Sequence, residues 1–589
     1  MLARVRAHRL ELLVFLSALG VRLLYLAQAA DVPFSSHPIV DGALYWSWAE
    51  RIAAGDWRGE GVFYQAPLYP YLLAIVRTLV GPSLRTVYVL QAALTSLGCV
   101  SLALAGRRLF SPVVGIVAGL MAAFYAPAIF YDGVLQKEAI AFFLMALLCW
   151  LIAVLGAATR PGIDAAIGLV LGLLVLLREN LLLLALVMLV GMWARGRGAS
   201  ARARWLGPAW IGLGMAIILL PVAVRNLVVG GELALTTSNM GTNFYIGNNR
   251  DAHGSYEELS PGRGAPEFER IDATALAEER LGRRLTPRET SHYWLGESFR
   301  FIRSEPWAWL RLMARKTLLF WNVHEISDAE DLYFYQRWSW LLRGLMAAWN
   351  FGVLVPLAAA GVSLTWPRRR DLWLLYAMVL ATSVSVIAFF VFGRFRLPIV
   401  PQLILFAAAG TVEAVKAVAG RRWRPLAVAG AALLLAGLVS RVPLIDREQQ
   451  LAASFYCWSN VLAETGRTDE AIEVGRETVR RDPRMPEAHY NLCTLLSTRN
   501  ERADAIAECR MAVELRPVYP KAWNNLGILL ALTGDRRGAA EALIRVLEQD
   551  PSHTVARANL EQTRRLAAQA NERDVQLRID AFLRDRRPR

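Results

Sequence analysis

The stretch VDGALYWSWAERIAAGDW, from Val40 to Trp57, follows directly on an apolar run that is long enough to span a membrane. Its first acid, Asp41, therefore stands where the chain leaves the bilayer, in front of several tyrosines and tryptophans. The pattern predicts a short interfacial helix with Leu44, Trp48 and Ile52 on its apolar face. Asp41 then either caps this helix or has a chemical role.

The composition argues against a soluble globular protein, because 55% of the 589 residues are hydrophobic and 19 are tryptophans. The formal net charge of +15 does not indicate a nucleic-acid partner, since the basic residues form short clusters between apolar runs. We therefore predict a chain that contacts membrane lipids over most of its length and binds no nucleic acid.

Apolar stretches predict about eleven membrane-spanning helices. They lie at about 11–30, 86–105, 112–130, 138–156, 163–178, 180–194, 206–224, 341–365, 372–392, 398–418 and 425–441. With a cytoplasmic N-terminus, every inner loop carries arginines, Arg107 and Arg108 among them. The outer segments are then about 31–85, about 225–340 and everything after about Ser440, which in a bacterial inner membrane means the periplasm.

Three arginines depart from this rule. Arg178 in LLRENLLLL, and Arg394 with Arg396 in FGRFRLPIVP, lie at the outer ends of predicted helices. Charged groups at membrane depth are costly and often mark function, whereas the alternative is an interfacial anchor that reaches lipid headgroups. No acid lies between Asp371 and Glu413, so the anion for the second pair comes from elsewhere in the fold or from a substrate.

Charged amphipathic helices with a fixed period begin at about Leu451. Three sets of residues recur every 34 positions: Pro483, Pro517 and Pro551; Ala471, Ala505 and Ala539; Leu492, Leu526 and Leu560. This period is typical of tetratricopeptide repeats, so we predict a membrane domain over 1–445 and a small α-solenoid with a tail over 446–589. Such a module binds a protein or peptide partner and performs no chemistry itself.

The five cysteines form no C-x-x-C motif and have no histidine at metal-ligand spacing. We interpret all of them as small buried side chains. Cys493 and Cys509 fall on predicted packing positions of the repeat helices.

Four segments carry a resemblance to a known family. They are DGALYWSWAERIAAGDWRGEGVFYQAPLYPYLLA (41–74), FYDGVLQKEAIAFFL (130–144), TTSNMGTNFYIGNNRDAHGSY (236–256) and FGRFRLPIVPQLI (392–404). The chain over about residues 1–440 resembles the GT-C superfamily of membrane glycosyltransferases, in the branch with protein O-mannosyltransferases and lipid A aminoarabinose transferases. The fold class that this implies is an all-α polytopic transmembrane bundle.

The resemblance implies a polyprenyl-phosphate sugar donor, a periplasmic active site and inversion at the anomeric carbon. The family's first-loop Asp, a general base on the acceptor hydroxyl, corresponds to Asp41. Arg178, Arg394 and Arg396 are the candidate partners of the donor phosphate, because a guanidinium binds phosphate oxygens in a bidentate fork. Lys137 is a further candidate. The acceptor is a protein, a lipid or a glycan.

Glu138 best matches the acid at the start of the family's fourth helix, and Asp132 is a second candidate acid. Ordinary loop solvation explains both equally well. Four further residues are candidate substrate contacts: Tyr45, Gln65, Asn243 and Asn248. Gly42 follows Asp41 where many relatives carry a second acid, so no cofactor is certain and a divalent metal stays open.

Two other function classes also stay open. An O-antigen polymerase or ligase combines many helices with outward arginines but does not specially require Asp41. A non-enzymatic scaffold would recruit a partner through the repeats and would tolerate changes at Asp41, Arg178 and Arg394. An Asp41→Asn variant discriminates between these classes.

Overall fold

The computed structural model describes residues 9–155, 160–195, 200–264, 266–328 and 330–585. All regular structure in these ranges is helical, which confirms the predicted all-α fold. The chain divides into two compact units, Met1–Ile445 and Asp446–Arg589. Residues 1–8, for which the sequence predicts a cytoplasmic position, lie outside the described ranges.

Helices α1 to α21 belong to the first unit. The first eleven are α1 (Arg9–Gln28), α2 (Val40–Ala53), α3 (Leu68–Val80), α4 (Leu84–Leu109), α5 (Pro112–Ala123), α6 (Ala126–Asp132), α7 (Glu138–Val154), α8 (Pro161–Leu177), α9 (Leu182–Arg195), α10 (Ala201–Gly230) and α11 (Met240–Gly247). The others are α12 (Pro266–Leu281), α13 (Pro287–Ser304), α14 (Pro306–Phe320), α15 (Leu332–Tyr335), α16 (Trp340–Ala348), α17 (Phe351–Thr365), α18 (Trp373–Ile387), α19 (Gly393–Arg396), α20 (Val400–Ala419) and α21 (Trp423–Ser440). Short 3-10 helices lie at Ala29–Asp31, Pro33–Ser35, Glu179–Leu181, Trp366–Arg368 and Leu397–Ile399.

Within the described ranges, 6 helical segments are long and apolar enough to cross a membrane, and the bent pair of α5 and α6 brings the number to 7. Four shorter helices are also apolar, namely α3, α7, α8 and α18. The chain is therefore a multi-pass membrane protein. The number of spans, about eleven from the sequence, stays a prediction.

Close packing of α8 against α10 depends on two glycines. A Cβ atom on Gly168 would lie 2.1 Å from the carbonyl oxygen of Ile211, and one on Gly214 would lie 2.3 Å from the carbonyl oxygen of Ala165. Only glycine permits backbones to approach so closely, as small residues do in many membrane helix pairs. Helix α8 ends immediately before Arg178, so this contact helps to place that buried side chain.

Helix α2 buries a different face from the predicted one. Asp41, Tyr45 and Ala49 are buried, whereas the predicted apolar face, which begins at Leu44, is only half-buried. The N-cap residue is Ile39, and it makes no side-chain capping hydrogen bond. The capping role for Asp41 is therefore wrong, because this carboxylate lies inside the first turn on the buried face.

The second unit contains α22 (Arg447–Glu464), α23 (Thr468–Arg481), α24 (Pro486–Thr498), α25 (Arg502–Leu515), α26 (Pro520–Leu532), α27 (Arg536–Gln549), α28 (Thr554–Gln569) and α29 (Arg573–Asp585). Each helix packs mainly on its neighbours in sequence. The recurring alanines Ala471, Ala505 and Ala539 are fully buried. The assignment of these helices to tetratricopeptide repeats stays a prediction.

A disulfide joins Cys493 on α24 to Cys509 on α25, with the Cα atoms 5.3 Å apart. Both residues are buried, but the interpretation of all five cysteines as simple packing residues is wrong for this pair. The 34-residue alignment did not predict this disulfide. It compares equivalent positions of different repeats, whereas the two cysteines lie on the two facing helices of one repeat.

Candidate functional site

A cavity of about 430 Å³ lies in the first unit. Its lining includes most of the residues that the sequence singled out, namely Asp41, Tyr45, Gln65, Lys137, Arg178, Asn243 and Arg394. Part of its apolar lining, here called the apolar wall, consists of Leu183, Leu186, Leu219, Leu235, Val386 and Phe389. The cavity therefore joins a charged end to an apolar side, which suits an amphiphilic ligand.

Arg394 connects two carboxylates at the charged end. Its Nη1 donates hydrogen bonds of 2.8 Å to Oδ2 of Asp41 and 2.8 Å to Oε1 of Gln136. Its Nη2 forms an ion pair with Asp328. Burial raises the pKa of Asp328 to about 6, while the charge of Arg394 opposes that rise. The arginine thus holds Asp41 in place and keeps the two acids from repelling each other.

Two unusual backbone positions set up this contact. Val40 has a φ of 47°, in the left-handed region that β-branched residues avoid, immediately before Asp41. Gly393 precedes Arg394, and a Cβ atom on it would lie 2.6 Å from Oε2 of Glu325. The short helix α19 can therefore pack against Glu325 only because it starts with glycine.

Two more cations line the charged end. Nζ of Lys137 lies 5.9 Å from the ring centroid of Tyr45, and it makes no ion pair with an acid of the described ranges. Burial lowers the pKa of Lys137 to about 8. Arg178 pairs with Glu138, and its guanidinium carbon lies 4.6 Å from the ring centroid of Phe395. Glu138, expected as a second acid, is instead the buried counter-ion of Arg178.

Arg396 is not among the residues that line the cavity. Its side chain is 1% exposed and pairs with Glu325 at 2.6 Å. It also donates to the main-chain oxygens of Asn322 at 2.6 Å and His324 at 2.7 Å. The fold itself therefore supplies the anion for this arginine, where we expected the donor phosphate.

Two other predicted site residues have internal partners as well. Asp132 is fully buried and pairs with Arg22 at 2.7 Å. Asn248 is buried, and its Oδ1 accepts hydrogen bonds from Nε1 of Trp309 and Nζ of Lys316. The segment just before Asn248 forms helix α11. Its residue Asn243 does face the cavity.

Asp328 and Glu269 are among the cavity acids that no sequence pattern singled out. Both belong to the second outer segment, far along the chain from Asp41. That segment contains many acids, and no local motif distinguishes these two from the others. Only the folded contacts bring them to the same cavity.

A divalent metal does not fit the side chains of this site. Asp41 and Asp328 would be its natural ligands, but the guanidinium of Arg394 already lies between them. In the part of the chain that the structure describes, no group of three or more His, Cys, Asp or Glu side chains could hold a metal ion. A cation of the protein itself thus occupies the position that a metal would need.

Residues 64–226 match the sequence profile of the family described as dolichyl-phosphate-mannose-protein mannosyltransferase. A comparison with curated protein sequences gives no significant match. The matched region contains three of the polar cavity residues discussed above, namely Gln65, Lys137 and Arg178.

Among solved structures, the archaeal oligosaccharyltransferase AglB from Archaeoglobus fulgidus, in complex with an inhibitory peptide and a dolichol-phosphate, is similar over 78% of this chain at 15% identity, with a TM-score of 0.41. This chain covers 59% of the length of that enzyme. ArnT from Cupriavidus metallidurans, bound to undecaprenyl phosphate, is similar over 89% of this chain and 80% of its own, at 14% identity and a TM-score of 0.37.

The first TPR of Spaghetti (RPAP3), bound to the HSP90 peptide SRMEEVD, is similar over 21% of this chain and 97% of its own, at 25% identity and a TM-score of 0.20.

The fold described above is all-helical and rich in apolar helices. Together with the profile match over 64–226, it confirms the resemblance of this chain to the GT-C superfamily of membrane glycosyltransferases.

Proposed function

We propose that the protein transfers a sugar from a polyprenyl-phosphate donor to an acceptor hydroxyl, with inversion at the anomeric carbon. The observation that carries the proposal is the cavity itself, in which Asp41 shares one space with Lys137, Arg178 and the apolar wall. The description of the matched family names a dolichyl-phosphate sugar, which has the same chemistry.

Asp41 is the general base in this proposal. The acceptor oxygen attacks the anomeric carbon, the bond from that carbon to the phosphate oxygen breaks, and Asp41 takes the hydroxyl proton. The polyprenyl phosphate leaves with the electron pair. Arg394 orients Asp41, since it donates to Oδ2 and leaves Oδ1 available for the acceptor. The roles of Tyr45, Gln65 and Asn243 as substrate contacts rest on their position in the lining.

Lys137 and Arg178 stabilise the charge of the leaving phosphate. Lys137 has no acid partner in the described ranges, and Nε of Arg178 has no hydrogen-bond partner there. Cations with unused donors in a water-poor cavity favour an anionic ligand. This assigns the phosphate to Lys137 and Arg178, while Arg394 serves the base.

The apolar wall accepts the start of the polyprenyl chain. Leu186 on α9 belongs to this wall and also to a second apolar pocket, which continues along the same helix to Ala194 and includes Trp373 of α18. A lipid tail would follow these exposed side chains from the cavity into the bilayer. Its burial would contribute about 0.8 kcal/mol per methylene group.

The active site and the second unit face the periplasm in this proposal. The Cys493–Cys509 disulfide supports an oxidising compartment, because such bonds are rare in a reducing cytosol. We expect alkaline phosphatase fused after Ser440 to be active, and activity only from a cytoplasmic reporter at that point would contradict the topology. The second unit would then recruit a protein or peptide partner outside the cytoplasm.

The purified full chain, incubated with a panel of polyprenyl-phosphate sugars and an extract of cell-envelope acceptors, tests the function. Mass spectrometry should detect a product heavier by one sugar residue and released polyprenyl phosphate. Transfer should continue in EDTA, because Arg394 rather than a metal lies between Asp41 and Asp328. Failure to consume any lipid-linked sugar would contradict the proposal.

A further inference from the structure

Glu269 is a cavity-lining acid that two tyrosines hold and that forms no ion pair with an arginine or lysine of the described ranges. Its Oε1 accepts a hydrogen bond of 2.8 Å from the hydroxyl of Tyr64, and its Oε2 accepts one of 3.2 Å from the hydroxyl of Tyr256. By contrast, Asp41 and Asp328 both pair with Arg394.

The contacts leave Glu269 with unused bonding capacity. Two carboxylate oxygens can accept about four hydrogen bonds, and the two tyrosines supply half of them. A carboxylate in a cavity without a counter-ion is costly unless further donors reach it. Burial accordingly raises the pKa of Glu269. A ligand that brings two hydroxyl groups would complete the set.

Aromatic rings continue the surface next to Glu269. The ring centroid of Tyr256 lies 5.6 Å from that of Phe390 and 6.3 Å from that of Phe392, and all three residues line the cavity. The face of an aromatic ring beside a carboxylate matches the two kinds of surface on a pyranose, which are its C–H face and its edge of hydroxyl groups.

We propose that Glu269, held by Tyr64 and Tyr256, binds two neighbouring hydroxyl groups of a saccharide. The inference rests on the proposed function and deepens it, because it assigns a subsite for the sugar within the same cavity. The saccharide belongs either to the donor or to the acceptor. Both present the same vicinal hydroxyl pair, and the experiment separates them.

The test measures binding to the purified full chain. In the first arm, undecaprenyl-phosphate mannose is compared with undecaprenyl phosphate, and the ratio of the two affinities is the contribution of the sugar. In the second arm, methyl α-mannopyranoside is titrated into protein saturated with undecaprenyl-phosphate mannose. A donor sugar subsite predicts a contribution of about tenfold or more in the first arm, and an acceptor subsite predicts binding in the second.

Glu269→Gln should remove most of this contribution in whichever arm shows it, and should leave the affinity for undecaprenyl phosphate unchanged. Tyr256→Phe should weaken it by a smaller factor and keeps the test valid if Glu269→Gln fails to fold. Glu267→Gln is the matched control, because Glu267 is an exposed acid in the same first turn of α12.

Equal saccharide binding by wild type and Glu269→Gln, or no saccharide contribution in either arm of the wild type, would overturn the inference. So would a Glu269→Gln variant that loses undecaprenyl phosphate as strongly as the sugar, since this would mean a structural role. If the wild type binds methyl α-mannopyranoside through Glu269 but not undecaprenyl phosphate, the proposed donor fails and the saccharide subsite stands.

Discussion

Arg394 and Arg396 are separated by one residue, yet they belong to different parts of the molecule. Arg394 lies in the cavity, where it joins Asp41 to Asp328. Arg396 does not line the cavity. Its terminal nitrogens pair with Glu325 and donate hydrogen bonds to main-chain oxygens. The comparison teaches that an arginine at membrane depth indicates function only when it faces a space that a ligand can enter.

The largest expected effect is on stability, at Arg396. Arg396→Ala leaves Glu325 buried without its partner, so we expect a loss of about 3–5 kcal/mol in the free energy of unfolding. The thermal midpoint of the purified full chain measures it. Arg394→Ala should cost less, because its acids face the cavity. Equal losses for the two variants would remove the distinction between the two arginines.

The next effect concerns catalysis. Asp41→Asn should fold normally and lose sugar transfer by a factor of about 100 or more, the scale of a general base. Asp31→Asn, an exposed acid that precedes α2, is the matched control and should transfer at the wild-type rate. Near-normal turnover by Asp41→Asn would exclude the base, and would favour the polymerase or scaffold alternatives.

Lys137 sharpens the comparison within the cavity. Lys137→Gln should raise the KM for the polyprenyl-phosphate donor about tenfold and also lower kcat for a saturating donor, because the lost charge contacts the phosphate in the bound donor and stabilises it as it leaves. Lys416→Gln, at an exposed lysine on α20, is the control. An unchanged KM would leave Arg178 as the phosphate ligand and Lys137 as a packing residue against Tyr45.

The smallest effect is a dependence of the donor KM on pH. Burial lowers the pKa of Lys137 to about 8, so the lysine is charged below this pH and loses its charge above it. The KM should therefore rise severalfold between pH 7 and pH 9. Glu330, whose pKa burial raises to about 8, titrates in the same window. A Lys137→Arg variant separates the two groups, since arginine stays charged and should flatten the profile.

The sequence predicted the elements more reliably than the partners. Apolar length and the family resemblance predicted an all-α membrane bundle, and Asp41, Lys137, Arg178 and Arg394 do meet at one cavity. Periodicity failed at α2, because it treats an acid as polar surface. Here the acid lies on the buried face, where an arginine from α19 neutralises it.

The errors at Asp132 and Arg396 have one physical cause. Hydropathy indicates that a charged residue lies at membrane depth. It does not indicate whether an oppositely charged residue from a distant helix forms an ion pair with it. Asp132 and Arg396 lie at such depth and are neutralised within the fold, by Arg22 and Glu325. Glu269 was not predicted for a different reason. It lies in an outer segment that contains many charged residues, and nothing in the sequence distinguishes it from the other acids there.

The disulfide between α24 and α25 also decides how a partner of the second unit should be sought. Closing a loop of about fifteen residues stabilises a fold by roughly 3 kcal/mol, a large share of the total for a small helical unit. A two-hybrid bait made in a reducing cytosol would lack this bond. The two helices would then be less stably packed when a candidate partner meets them. Screens on exported, oxidised protein would present the bridged surface instead.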